Sequence, residues 1–235
     1  MLVTTIFSFA QEAKPTVTFF HKEENEEVTL NESEEKITEA PLDITCNANI
    51  DCPADFTYKV EWRLFKENDG EEKPIITRYD EDMTYTLTSD GAYCVKLYVT
   101  FTGKDNQQTI DKAYEKIKIV ISSSKLSCPD GFSPNGDDIN DELTIDCQSI
   151  VKMSGGIFNR WGQCLKTINL ETIRPAKKDP RRYCVWDGLQ GGKPVKDGVY
   201  FINIDAYGSD GIHYKIKKAI NVLTGYRETT DNPSM

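Results

Sequence analysis

Histidine is almost absent from this chain: His21 and His213 are the two present in 235 residues. A nucleophile–base pair would need one of them, and neither sits in a recognisable catalytic motif. None of the seven cysteines forms a C-x-x-C pair, and two histidines give little help, so no metal centre of the zinc kind is expected. Cationic excess is also missing. Lys and Arg number 28 against 38 Asp and Glu, a net charge of −10, whereas a nucleic-acid footprint needs a basic stripe. No apolar run approaches the roughly eighteen residues expected of a membrane-spanning helix. The glycine-rich stretch GLQGGKP, at 188–194, lacks the strand–loop–helix setting of a phosphate cradle. Paired carboxylates carry no signal for glycoside chemistry in a chain this rich in acids. The expectation is a protein without catalysis and without a cofactor.

What is present builds cores. Hydrophobic residues make up 38% of the chain and aromatics 10%, and the length suits two ordinary domains. The runs YKVEWRLF, TYTLTSDGAYCVKLYVTF, AYEKIKIVI, GGIFNRWGQCLKTI, GVYFINIDAYG and IHYKIKKAINVL alternate with period two and are broken by Asn, Asp and Gly. That pattern predicts an all-β protein of two immunoglobulin-like β-sandwich domains in tandem. The serine run at 122–124 marks the boundary, giving domains over residues 11–124 and 125–235. Residues 1–10 read as the remnant of a secretory signal peptide, with Ser8, Phe9 and Ala10 before the cleavage point. A first β-strand is the alternative. Seven cysteines scattered over strands suit disulfides in an oxidising compartment.

In the first domain, DGAYCVKLYVTF places Tyr93, Val95, Leu97 and Val99 on one strand face. This resembles the penultimate strand of PKD-like and other immunoglobulin-like modules, with Trp62 as the buried aromatic of the third strand.

The second domain is more specific. It carries, in order, FSPNGDDIND, IFNRWGQ, VWDG and VKDGVYFINI. These resemble the gliding-motility-associated C-terminal domain of Bacteroidetes, the type B sorting domain of the type IX secretion system. Phe132, Ser133, Pro134, Asn135, Gly136, Asp137, Asn140 and Asp141 match its first motif. Ile157, Phe158, Asn159, Arg160, Trp161 and Gly162 match the second, Trp186, Asp187 and Gly188 the third, and Gly198, Tyr200 and Ile204 the last. Asp138 stands where the family usually has Gly, Lys196 replaces a Pro, and the ending runs past Arg227.

The resemblance implies an exported protein of the periplasm, outer membrane or cell surface, whose second domain docks with type IX components. The expected partner is an outer-membrane β-barrel of the PorP/SprF kind. A dedicated component or signal-relaying partner of that machinery and a surface adhesin or glycan-binding protein are the alternatives. Arg160 and the basic stretch RPAKKDPRR, with Arg174, Lys177, Lys178, Arg181 and Arg182, are the expected partner-binding residues, because a guanidinium can make two directed bonds to a carboxylate. The first motif reads as turn chemistry. Calcium held by Asn135, Asp137, Asp138, Asn140 and Asp141 is the rival reading. Trp161 and Trp186 are expected as core or groove anchors, with Arg160 stacked or paired beside them. The segments IFNRWG and VWDG read as adjacent antiparallel strands, so a bridge is expected between Cys164 and Cys184, with a second between Cys128 and Cys147 across the first-motif loop. Cys46–Cys94 is the third pair, leaving Cys52 free.

Overall fold

A computed structural model describes residues 11–104, 108–179 and 181–224. The signal-peptide segment and the tail past Arg227 lie outside the described residues. The chain divides into two compact units between Ser122 and Ser123. Ser124 falls in the second unit because its amide and hydroxyl donate to the Asp210 carboxylate, at 2.8 and 2.7 Å.

The first unit is a β-sandwich. One sheet orders β3 (Glu26–Leu30), β2 (Thr16–His21), β5 (Leu42–Asn47) and β9 (Asp82–Leu87). The other orders β4 (Glu35–Thr38), β12 (Ile117–Ile121), β10 (Gly91–Gly103), β7 (Phe56–Lys66) and β8 (Ile76–Arg78), with β11 (Thr109–Ala113) also on β10. A two-residue ladder joins β1 (Glu12–Ala13) to β6 (Ile50–Asp51). Alternation decides which face is buried. Leu42, Ile44 and Cys46 on β5 are buried, as are Tyr93, Val95, Leu97, Val99 and Phe101 on β10. Trp62 is fully buried on β7, and its indole N–H donates to the Glu81 carbonyl at 3.2 Å.

The second unit is also a sandwich. One sheet orders β13 (Lys125–Ser127), β15 (Leu143–Gln148), β19 (Tyr183–Trp186) and β18 (Arg174–Pro175). The other orders β14 (Gly131–Phe132), β23 (His213–Val222), β22 (Gly198–Gly208), β16 (Ile150–Phe158) and β17 (Cys164–Asn169). A short ladder pairs β20 (Leu189–Gln190) with β21 (Lys193–Pro194). Leu143, Ile145, Val185 and Trp186 of the first sheet share one core with Ile157, Ile202, Ile204 and Ile220 of the second.

No disulfide joins any of the seven cysteines, which corrects the expected bridges. Cys164 is exposed on β17 while Cys184 is buried on β19, in the opposite sheet; the IFNRWG and VWDG segments are not paired strands. Cys128 is a free thiol just after β13 rather than the partner of Cys147. Cys46 shares the inward parity of Leu42 and Ile44. Cys94 has the opposite parity to Val95 and Leu97 and lies beside Lys116, Glu67 and Lys118. Burial pushes the Cys46 thiol up to about 12 and those of Cys128 and Cys184 up to about 11, so these three are poor nucleophiles.

Candidate docking face of the second unit

The first motif closes on itself. The Ser133 amide donates to the Asn140 carbonyl at 2.8 Å, and its hydroxyl to the Ile139 carbonyl at 3.1 Å. Both oxygens of Asp141 are taken by backbone amides, those of Gly136 at 2.7 Å and Asp138 at 2.8 Å. Asp137 accepts from the Ile139 amide at 2.8 Å and from the Asn135 side chain at 2.9 Å. The amide of Gly136, then that of Asp138, holds the Asp141 carboxyl below the usual carboxylate range. Two of the carboxylates expected to serve calcium, Asp137 and Asp141, are thus turned onto the loop's own donors. No metal-holding group of three or more His, Cys, Asp or Glu occurs among the described residues. Asp138 and Asn140 adopt positive φ, 67° and 55°, which explains why a family that usually has Gly at the first position tolerates Asp there.

Behind the loop, three motifs share one aromatic cluster. Trp186 is 1% exposed and lies between Phe132, at 5.4 Å between ring centroids, and Tyr200, edge-on at 5.3 Å. Its indole N–H donates to the Leu189 carbonyl at 3.0 Å. Gly188 has φ 74°, and a Cβ there would stand 2.6 Å from Pro134 Cγ. The glycine of the third motif therefore makes room for the proline of the first. Asp187 accepts from the Leu189 amide at 3.2 Å, fixing that corner.

The second motif does the opposite with its tryptophan. Asn159 and Gly162 build the turn between β16 and β17. The Asn159 side-chain oxygen accepts from the amides of Trp161 and Gln163, both at 3.0 Å, and Gly162 has φ 78°. Arg160 and Trp161 are held at the tip. Trp161 is 77% exposed, with the Arg160 guanidinium 4.6 Å from its ring centroid. Of the two residues expected as core or groove anchors, Trp186 is in the core and Trp161 lines a groove: the strand ends at Phe158, so its alternation no longer aims the Trp161 side chain inward. The expected stacking of Arg160 is observed.

Arg160 and Trp161 line a groove of about 650 Å³ that runs to the start of β22. Lys193, Lys196, Val199 and Phe201 complete it, and the sequence reading did not single these out. Their signal was the phase of β22. Ile202, Ile204 and Ala206 point inward, so Val199 and Phe201 are apolar residues on the outward parity, 49% and 44% exposed.

All four motifs fall in one sandwich, in the order and spacing of a known signal. Residues 126–220 match the CHU_C type IX secretion signal domain. That match spans under half of the chain, and it marks the protein as exported, bound for the cell surface or outer-membrane region. No curated protein matches the chain in sequence. Among solved structures, the chain is similar to dimeric latent PorU from Porphyromonas gingivalis, at 10% identity and a TM-score of 0.26, over 90% of this chain and 20% of that one. It is also similar to the Bacteroides ovatus mixed-linkage glucan utilization locus protein SGBP-B, at 15% identity and a TM-score of 0.25, over 80% of this chain and 42% of that one. The chain thus spans under half the length of either, and overlaps this loose carry no argument about function.

Within the CHU_C-type domain, the basic stretch is not a free cationic surface. Arg174 Nη2 lies 2.6 Å from Glu142 Oε1, and the Lys177 amide donates to Glu142 Oε2 at 3.0 Å. Lys178 pairs with Asp138 at 3.1 Å, Arg181 with Asp179 at 3.0 Å and Arg182 with Asp146 at 2.9 Å. Burial pushes the Glu142 carboxyl up, but the Arg174 guanidinium and the Lys177 amide outweigh it and hold the group below its ordinary value. Arg160, by contrast, makes no ion pair among the described residues. The structure therefore separates the six predicted partner-binding cations: Lys177, Lys178 and Arg182 lie beside the first motif, Arg174 is held on Glu142 and Arg181 on Asp179, and Arg160 belongs to the groove.

Proposed function

We propose that this is a non-enzymatic, exported protein whose CHU_C-type domain docks with a type IX component at the outer membrane, a β-barrel of the PorP/SprF kind. One observation carries the reading: the second motif uses Asn159 and Gly162 to build a turn and holds Arg160 and Trp161 out in water. An exposed tryptophan in a turn of fixed shape does nothing for the core, and Trp and Arg are the side chains that dominate docking energetics. The non-enzymatic part is supported by the histidines. His21 is buried against the Ile37 carbonyl, and His213 is stacked on Tyr207 and bonded to Asp205.

The test is recovery of outer-membrane proteins on the full chain and on its Arg160→Ala and Trp161→Ala variants. Both variants should keep the wild-type melting curve and lose at least about tenfold in barrel recovery, the loss expected when a hot-spot side chain is truncated. Wild-type recovery by both would overturn the docking assignment.

A further inference from the structure

The groove at Arg160 and Trp161 has a charge opposite to that of the rest of the molecule. Among the described residues that line it, Arg160, Lys193 and Lys196 are cations and Asp197 is a carboxylate. That carboxylate already accepts from the Thr224 amide at 2.6 Å and from the Thr224 hydroxyl. The whole chain carries −10. A basic groove attracts an acidic occupant.

Its walls add a second requirement. The faces of Trp161, Val199 and Phe201 are open to water along the same groove. At about 650 Å³ the space accommodates a few side chains, within the roughly 300–1,000 Å³ range of specific ligand pockets. Arg160 lies 4.6 Å from the Trp161 ring. Stacking restrains the guanidinium plane while leaving its N–H fork free for two parallel bonds to a carboxylate.

Resting on the docking reading above, we infer that the groove receives an extended acidic segment of the partner, with an apolar side chain against Trp161 and Phe201 and flanking carboxylates on Arg160 and Lys193. The occupant is a peptide segment of the outer-membrane partner. Lipid and saccharide are excluded by this assignment, and each is an outcome that would overturn it.

A photo-reactive phenylalanine analogue in place of Val199, in the full chain in intact cells, reads this directly. Mass spectrometry of the adduct should return a partner peptide with more Asp and Glu than Lys and Arg and with an apolar side chain. Combining Arg160→Glu with Lys193→Glu should cut the adduct at least about tenfold, and raising the salt in a purified outer-membrane preparation should weaken it, as for any exposed charge pairing. A neutral or basic peptide, a lipid or saccharide adduct, or an adduct unchanged by the double reversal would overturn the inference. Surface delivery of the chain in the same cells separates the two levels. A chain delivered normally with no adduct at Val199 sinks the groove assignment alone. A chain whose delivery does not depend on the CHU_C-type domain sinks the docking reading.

Discussion

The stretch 174–182 presents five cations and the turn at Arg160 only one, yet the single residue is the better placed for a partner. Each of the five faces a carboxylate of the same domain, so a partner would first have to displace Glu142, Asp138, Asp179 or Asp146. Arg160 is stacked on an exposed ring. Local charge density in a sequence is thus a poor guide to available charge. The same contrast divides the second unit's two tryptophans: Trp186 holds the sandwich together, and Trp161 stands outside it.

Four measurements can break or sharpen this division between residues that build and residues that are displayed. The largest effect belongs to Trp186→Ala, which should lower stability by about 3–5 kcal/mol through loss of a buried ring. Trp161→Ala should stay within about 0.5 kcal/mol. Equal losses in urea denaturation would erase the distinction. Next come two glycines of similar φ. Gly162→Ala should cost about 1 kcal/mol from backbone strain alone, since nothing lies within 4 Å of its added Cβ. Gly188→Ala should cost about 2–3 kcal/mol, because overpacking against Pro134 adds to the same strain. A third measurement addresses the paired stretch. Glu142→Gln should cost about 1 kcal/mol at neutral pH, a charge-assisted bond discounted for the exposure of Arg174. The folded-state carboxyl lies below its ordinary value of 4.5. Its contribution is therefore full above that value and is lost as pH falls through the lower folded one. Melting temperature should fall more steeply below about pH 4.5 in wild type than in the Gln variant, and parallel curves would count against the pairing. The smallest effect is Asp138→Gly. Relief of positive-φ strain opposes the added entropy of the unfolded chain, and the exposed pair with Lys178 that is lost contributes little, leaving a net change within about 0.5 kcal/mol.

Much of the fold was legible because alternation is a local property. The runs around Val95 and Ile204 show their buried face in the sequence, and the order of four motifs marks the second sandwich. What was not legible depended on pairing at a distance. Glu142 meets Arg174 from 32 residues away, so the basic stretch read as free. Cys164 and Cys184 border two motifs that read as neighbouring strands, whereas the chain sends one to each sheet. Trp161 and Trp186 look equivalent as letters. The Asn159 and Gly162 turn was the available clue that alternation had already stopped at Phe158.

The hydrogen bonds at the two ends of β23 bear on how the second unit responds to load. Ser124 is tied to Asp210 and Tyr214 near the start of β23, and Thr224 is tied to Asp197 just beyond its end. These points are about 33 Å apart along a ten-residue strand. Tension between them runs parallel to β23 and tries to slide it along β22. The ten paired positions from Gly198–Val222 to Tyr207–His213 then resist together instead of opening one by one. Load applied between Ser124 and Thr224 is thus met in the strand geometry that yields last.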